Sequence, residues 1–175
     1  MQTFSTTMKK AAYVFAGTMM LGIVGSGSAF AEIKTTTYPG TMCQPYSSTT
    51  ANNIRYNTAG VYNNSTTHSA TVKCPMPKTL EDGKLGSVIV DVKDYSDSAT
   101  IYCTVYVRKI NGQWVHQESS NSDQYFLGNS DVFMTTINYG SNDGTFYNLS
   151  CSLPKKLSGI PKFSVVGYHV TEVSN

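Results

Sequence analysis

Three kinds of side chain in this sequence could do chemistry: histidines, clustered carboxylates and strand-borne aromatics. The histidines are His68, His116 and His169. They form neither H-E-x-x-H nor His-x-His, so their spacing offers no zinc site. No G-x-S-x-G elbow occurs, and a triad assembled from distant positions leaves no local signature. Each histidine is therefore expected as a strand or surface residue, with His116 opposite Val107 at the margin of the core. The carboxylates gather at Asp91, Asp94 and Asp97 and at Asn142-Asp143. Oxygen-rich loops of this kind can hold calcium. The EF-hand spacing is absent, however, and turns select Asp, Asn and Ser for backbone reasons. Nor does an apolar neighbourhood mark any of these carboxylates as a raised-pKa glycosidase acid. No catalytic residue, metal ligand or cofactor is assigned, and the chain reads as a protein that is not an enzyme.

The aromatics carry more. In Ile101-Tyr-Cys-Thr-Val-Tyr-Val-Arg108, residues Tyr102, Tyr106 and Arg108 share the face opposite Cys103, because strand side chains alternate with period two. The two tyrosines stand about 13 Å apart at about 3.3 Å per residue. Such a row can stack against sugar rings. It can equally be cross-strand packing, since tyrosine suits strands for its own reasons. Tyr102, Tyr106 and Arg108 are the candidate ligand face. Ser, Thr and Asn supply 46 of the 144 residues from Glu32 onward, a surface that is polar without being charged.

The elements that must position this face read as strands throughout. Runs at 35–38, 53–57, 60–63, 69–74, 86–93, 99–110, 113–118, 132–139, 144–153 and 162–173 are rich in β-branched and aromatic residues. Pro75 and Pro77 are expected to end the strand at 69–74, since proline cannot donate to a ladder. Asn111-Gly112 predicts a type I′ hairpin turn, and 119–130 reads as a long polar loop. No window sustains a 3.6-residue period, so little helix is expected. The fold class is all-β: a two-sheet antiparallel sandwich or jelly roll of about eight strands.

Cys43, Cys74, Cys103 and Cys151 are spaced by 31, 29 and 48 residues. Zinc sites show closer pairs, so two disulfides are expected. Three connectivities exist; short-range pairing favours Cys43–Cys74 with Cys103–Cys151. Each bridge would stabilise by roughly 3.5–4 kcal/mol on the chain-entropy model. Val72-Lys-Cys74-Pro-Met76, Ile101-Tyr-Cys103 and Tyr147-Asn-Leu-Ser-Cys151-Ser-Leu153 place three sulfurs on apolar strand faces. That arrangement suits a packed interior better than a membrane barrel.

The order Cys43, Tyr56, Val61-Tyr-Asn63, Val72-Lys-Cys74-Pro75, Ile101-Tyr-Cys103 and Tyr147-Asn-Leu-Ser-Cys151-Ser-Leu-Pro154 resembles a group of exported bacterial proteins. Those proteins combine a signal peptide, four cysteines and a predicted β-sandwich. The resemblance implies the fold and the export, and assigns no catalytic or binding residue.

Export is also legible directly. Met8-Lys9-Lys10 precedes an apolar run from Ala11 to Val24, then Ala29-Phe30-Ala31. Fourteen apolar residues fall short of the roughly 20 that span a bilayer, and small residues three apart suit signal peptidase. Residues 1–31 are thus expected to be a signal peptide with its start at Met8, cut between Ala31 and Glu32. The single β-sandwich domain would run over 32–175. Without Lys9 and Lys10, eleven basic residues face eleven acidic ones. That balance excludes a basic nucleic-acid surface and an acidic solvating tail. The reading is a non-catalytic exported protein, secreted or periplasmic, without a membrane span after processing. Its role is structural or binding, with a glycan or another envelope component as candidate partner. The alternatives are a carbohydrate-binding module and a small secreted hydrolase. Mass spectrometry of exported protein should find Glu32 at the N-terminus. Intact protein embedded in membrane with residues 8–31 attached would sink the assignment.

Overall fold

The computed structural model describes residues 31–174, apart from 82, 97–98, 123–130 and 140–143, with backbone alone at 131–139. All of them belong to the unit Ala31–Asn175. The segment expected to be a signal peptide lies outside the described residues up to Phe30.

Among the described residues there are eleven strands, rather than about eight. They are β1 (Ile33–Pro39), β2 (Gln44–Pro45), β3 (Ile54–Asn57), β4 (Gly60–Asn63), β5 (Ala70–Met76) and β6 (Lys84–Lys93). After these come β7 (Tyr102–Lys109), β8 (Trp114–Asn121), β9 (Asp131–Tyr139), β10 (Thr145–Leu153) and β11 (Ser164–Val173). A 3₁₀ turn at Gly40–Met42 and a four-residue helix at Ser48–Ala51 interrupt them. The strands form two antiparallel sheets. The first has the order β3-β4-β11-β6-β9, with β1 also on β11; the second has the order β2-β5-β10-β7-β8.

Period two decides what each sheet buries. Val88, Val90 and Val92 of β6 and Val165, Tyr168 and Val170 of β11 face inward from the first sheet. Val72 and Cys74 of β5, Val105 and Val107 of β7, and Leu149 and Leu153 of β10 meet them from the second. Each such side chain removed from water stabilises by about 1.5–3 kcal/mol. Both expected bridges are formed. Cys43–Cys74 ties the lead into β2 to β5, and Cys103–Cys151 joins directly opposed residues of β7 and β10. All four cysteines are buried.

One edge of β11 serves two strands. β1 pairs along Gly167–Val173, then leaves, and β4 takes over at Ser164 and Val165 beyond a bulge. The exchange brings backbone against backbone. A Cβ on Gly60, at φ +117°, would lie 2.0 Å from the Val165 carbonyl oxygen, and one on Gly40 would lie 2.1 Å from the same atom. Only glycine fits there.

Pro75 does not end β5; the strand runs through it to Met76. β2 covers that edge only at Val72 and Lys73. At Pro75 the ladder partner is Asn148 on the other side, and the free edge needs no donor. The edge is covered instead by tyrosines from the first sheet. The Tyr168 hydroxyl donates to the Pro75 carbonyl at 2.5 Å, and the Tyr38 hydroxyl to that of Pro77 at 3.4 Å. The two rings stack at 5.2 Å.

Burial, with Tyr38 beside it, pushes the Tyr168 hydroxyl well above the ordinary tyrosine value of 10.0. Replacing Tyr168 with Phe should cost about 1 kcal/mol at neutral pH, the net worth of one hydrogen bond. Above pH about 10 the unfolded chain's tyrosines ionise while Tyr168 in the fold stays protonated. The unfolded state then binds fewer protons, so stability falls as pH rises. Tyr168→Phe lacks that loss. Urea titrations across this range should show the stability gap narrowing; a constant gap would contradict the buried hydroxyl.

Candidate functional site

The outer face of the second sheet is built from the residues that alternate with its core positions. With Cys103, Val105 and Val107 inward, Tyr102, Thr104, Tyr106 and Arg108 point out. With Leu149 and Cys151 inward, Phe146, Asn148, Ser150 and Ser152 do the same. β5 contributes Thr71 and Lys73, and Tyr46 joins through its backbone N–H to the Thr71 carbonyl at 2.8 Å.

The hairpin after β7 brings in Trp114, one of the residues that sequence reasoning missed. Asn111 does not adopt positive φ; Gly112 alone does, at 84°. Gly112 N–H donates to the Lys109 carbonyl at 2.8 Å, and Lys109 N–H to that of Gln113 at 2.9 Å. The connection is a three-residue loop with a glycine bulge, not a type I′ turn. The Asn111 side chain accepts from Gln113 N–H at 3.0 Å, which holds it in the ordinary right-handed region. A two-residue loop would set Trp114 opposite Lys109, on the core-facing parity. The longer loop sets it opposite Arg108, facing out. Val115 is then bulged, which restores His116 opposite Val107 as expected. β8 also continues to Asn121, past the expected onset of the loop at 119, with Ser119 and Thr104 hydroxyls paired at 2.9 Å.

The result is an open cleft of about 580 Å³, whose aromatic lining is Tyr46, Tyr106, Trp114 and Phe146. Tyr106 and Trp114 meet edge to face at 5.5 Å. The Arg108 guanidinium lies 5.2 Å from the Trp114 centroid and 5.7 Å from that of Tyr106. Lys73 Nζ lies 4.2 Å over Tyr46. Gln117, Asn148 and Ser150 offer amides and a hydroxyl between the rings. Trp114 is half exposed and Phe146 is 40% exposed. Of the three residues expected on a ligand face, Tyr106 and Arg108 enter this cleft. Tyr102 is on the same side and exposed, but stands opposite Ser152 and Asn121, outside the lining. Such an arrangement can stack flat apolar ring faces and donate hydrogen bonds to their edges.

The other chemistry-bearing residues go elsewhere. On the outer face of the first sheet, Thr37 Oγ1 lies 2.8 Å from His169 Nδ1, and His169 Nε2 lies 2.9 Å from Asp91 Oδ2. The contacts resemble those of a hydrolase triad. The group sits mid-strand, however, where β11 and β6 commit their N–H groups to neighbours on both sides. Its side chains already bond one another. His116 lies 3.6 Å from Glu118 at the sheet margin, and His68 contacts Thr67 in a loop. Asp94 is buried, accepting from Ser96 N–H at 3.1 Å and from the Ser122 hydroxyl. Asp91 and Asp94 are thus apart in role, while Asp97 and Asn142-Asp143 lie outside the described residues. Among the described residues no three of His, Cys, Asp and Glu come together as a metal site. Glu32 is tied at the start of β1, donating through N–H to Ser174 Oγ at 2.6 Å.

Trp114 is the sole tryptophan, so fluorescence reports on this face alone. Acrylamide should quench the folded protein readily, and Arg108→Ala should increase quenching by uncovering the indole. Blue-shifted, quench-resistant emission would place Trp114 inside and contradict the register.

No protein-family model matches the chain, and no curated protein matches it. Among solved structures, similarity is found to the crystal structure of dimeric latent PorU from Porphyromonas gingivalis. It has 10% identity and a TM-score of 0.36, and covers 83% of this chain. The chain spans 13% of that protein's length.

Proposed function

We propose that this chain is an exported, non-catalytic β-sandwich protein that binds a glycan across the outer face of its second sheet. The observation that carries the reading is the cleft itself. Exposed aromatic rings stand beside amide and hydroxyl groups that have no role in the core. A sugar ring presents apolar C–H faces and polar edges, and this lining offers partners for both. Exposing tryptophan on a sheet face forgoes the burial that most aromatics gain.

Export rests on the signal-like segment before Glu32 and on two disulfides, which persist in oxidising compartments. Among the described residues no helix is long and apolar enough to cross a membrane. The protein therefore acts in the periplasm or outside the cell. The hydrolase alternative would rest on the Thr37, His169 and Asp91 group, whose side chains already bond one another.

Retention on insoluble polysaccharides and affinity electrophoresis in soluble ones test the reading. Wild type should be retained, and Trp114→Ala and Tyr46→Ala should each weaken retention at least tenfold. Both residues are exposed, so their melting midpoints should change far less than the loss of about 3–5 kcal/mol expected for a buried aromatic. Binding that is unchanged in both variants would overturn the proposal.

A further inference from the structure

We infer that the ligand is an anionic polysaccharide, with carboxylate or sulfate groups repeated along an extended chain. This rests on the glycan-binding reading and goes beyond it in charge and length. Two cations line the cleft, Lys73 and Arg108. Neither forms an ion pair among the described residues, where the acid-base contacts are His116–Glu118 and His169–Asp91. Each lies over aromatic rings instead, Lys73 on Tyr46 and Arg108 between Tyr106 and Trp114. A ring face positions a cation without neutralising it.

Among the described residues no acid lines the cleft, and none shares its outward parity on the five strands. Glu118 is opposite Val105, hence on the other parity, and is engaged by His116. The chain as a whole has equal numbers of acids and bases from Glu32 onward. A carboxylate-free face with two cations is therefore a local feature, not a reflection of net charge. A ligand for this face brings its own negative charge.

The separation of the cations sets the ligand's size. Lys73 is opposite Ser150 on β10, and Ser150 is opposite Thr104 on β7. Arg108 is four residues further along β7. At about 3.3 Å per residue and about 4.8 Å between strands, the two residues are about 16 Å apart. One monosaccharide cannot reach both; several linked units can, with the intervening rings against the aromatics. Two cations are too few for a polynucleotide footprint.

Matched polymers separate the terms, using the full mature chain in affinity electrophoresis. Polygalacturonate is compared with its methyl ester, and dextran sulfate with dextran. At least one anionic polymer should bind about tenfold or more tightly than its neutral counterpart, and weaken as salt is raised. Whichever pair shows the contrast identifies carboxylate or sulfate. Lys73→Met with Arg108→Met should remove that preference while preserving the melting midpoint. The exposed Lys73→Met alone covers the case in which the double variant does not fold. Equal binding of charged and neutral polymers would overturn the inference and leave glycan binding standing. Loss of binding to every polymer would overturn both. Tighter binding to single-stranded poly(dT) than to either anionic polysaccharide would also overturn it, and would favour a nucleic-acid ligand.

Discussion

The pairing of Cys103 with Cys151 decides more than stability. The two residues are directly opposed on β7 and β10, and a covalent bond between opposed residues forbids a register slip. In a sheet, a slip by one residue exchanges every side chain between its faces. Fixing the sulfurs inward therefore fixes Tyr106, Arg108, Phe146, Asn148 and Ser150 outward. The central pair of the second sheet is also where the cleft is built. The same bond that closes the core thus determines which groups face solvent.

That constraint explains what could be read from the sequence. Cysteines embedded in alternating runs declare their own parity, so the core positions Val72, Val105, Val107 and Leu149 were legible, and with them Tyr102, Tyr106 and Arg108 on the reverse side. The pairing of sheets was not legible in the same way. Nothing local to Tyr168 says that its hydroxyl will cross to the Pro75 carbonyl, because the contact joins residues 93 apart. Pro75 looked like a strand end for the same reason: the missing donor matters only if a neighbour lies on that side, and β2 is too short to be one.

The largest difference at the site comes from a single turn. Asn-Gly signals two residues with positive φ, and here only the glycine adopts it. One additional loop residue moved Trp114 from the core parity to the outer face, and the bulge at Val115 kept the rest of β8 in phase. Sequence patterning found two members of the cleft, Tyr106 and Arg108, because they share a strand. It missed Lys73, Trp114 and Phe146 because they come from other strands, and Tyr46 because it follows β2, and strand order is not a local property. The sole tryptophan, two residues after Asn111-Gly112, was the one signal available.

The two outer faces differ in how their polar groups are used, and this difference separates scaffold from binding surface. On the first sheet, Thr37, His169 and Asp91 satisfy one another, and Thr35 pairs with Thr171 at 3.0 Å. A ligand there would have to displace bonds already made, at a cost comparable to what it gained. On the second sheet, Lys73 and Arg108 lie on aromatic faces, and among the described residues no carboxylate pairs with either. Ring contacts of this kind orient a cation but leave its N–H donors directed at water, and water is displaced without breaking protein structure. The face with fewer internal bonds is therefore the one prepared for a ligand.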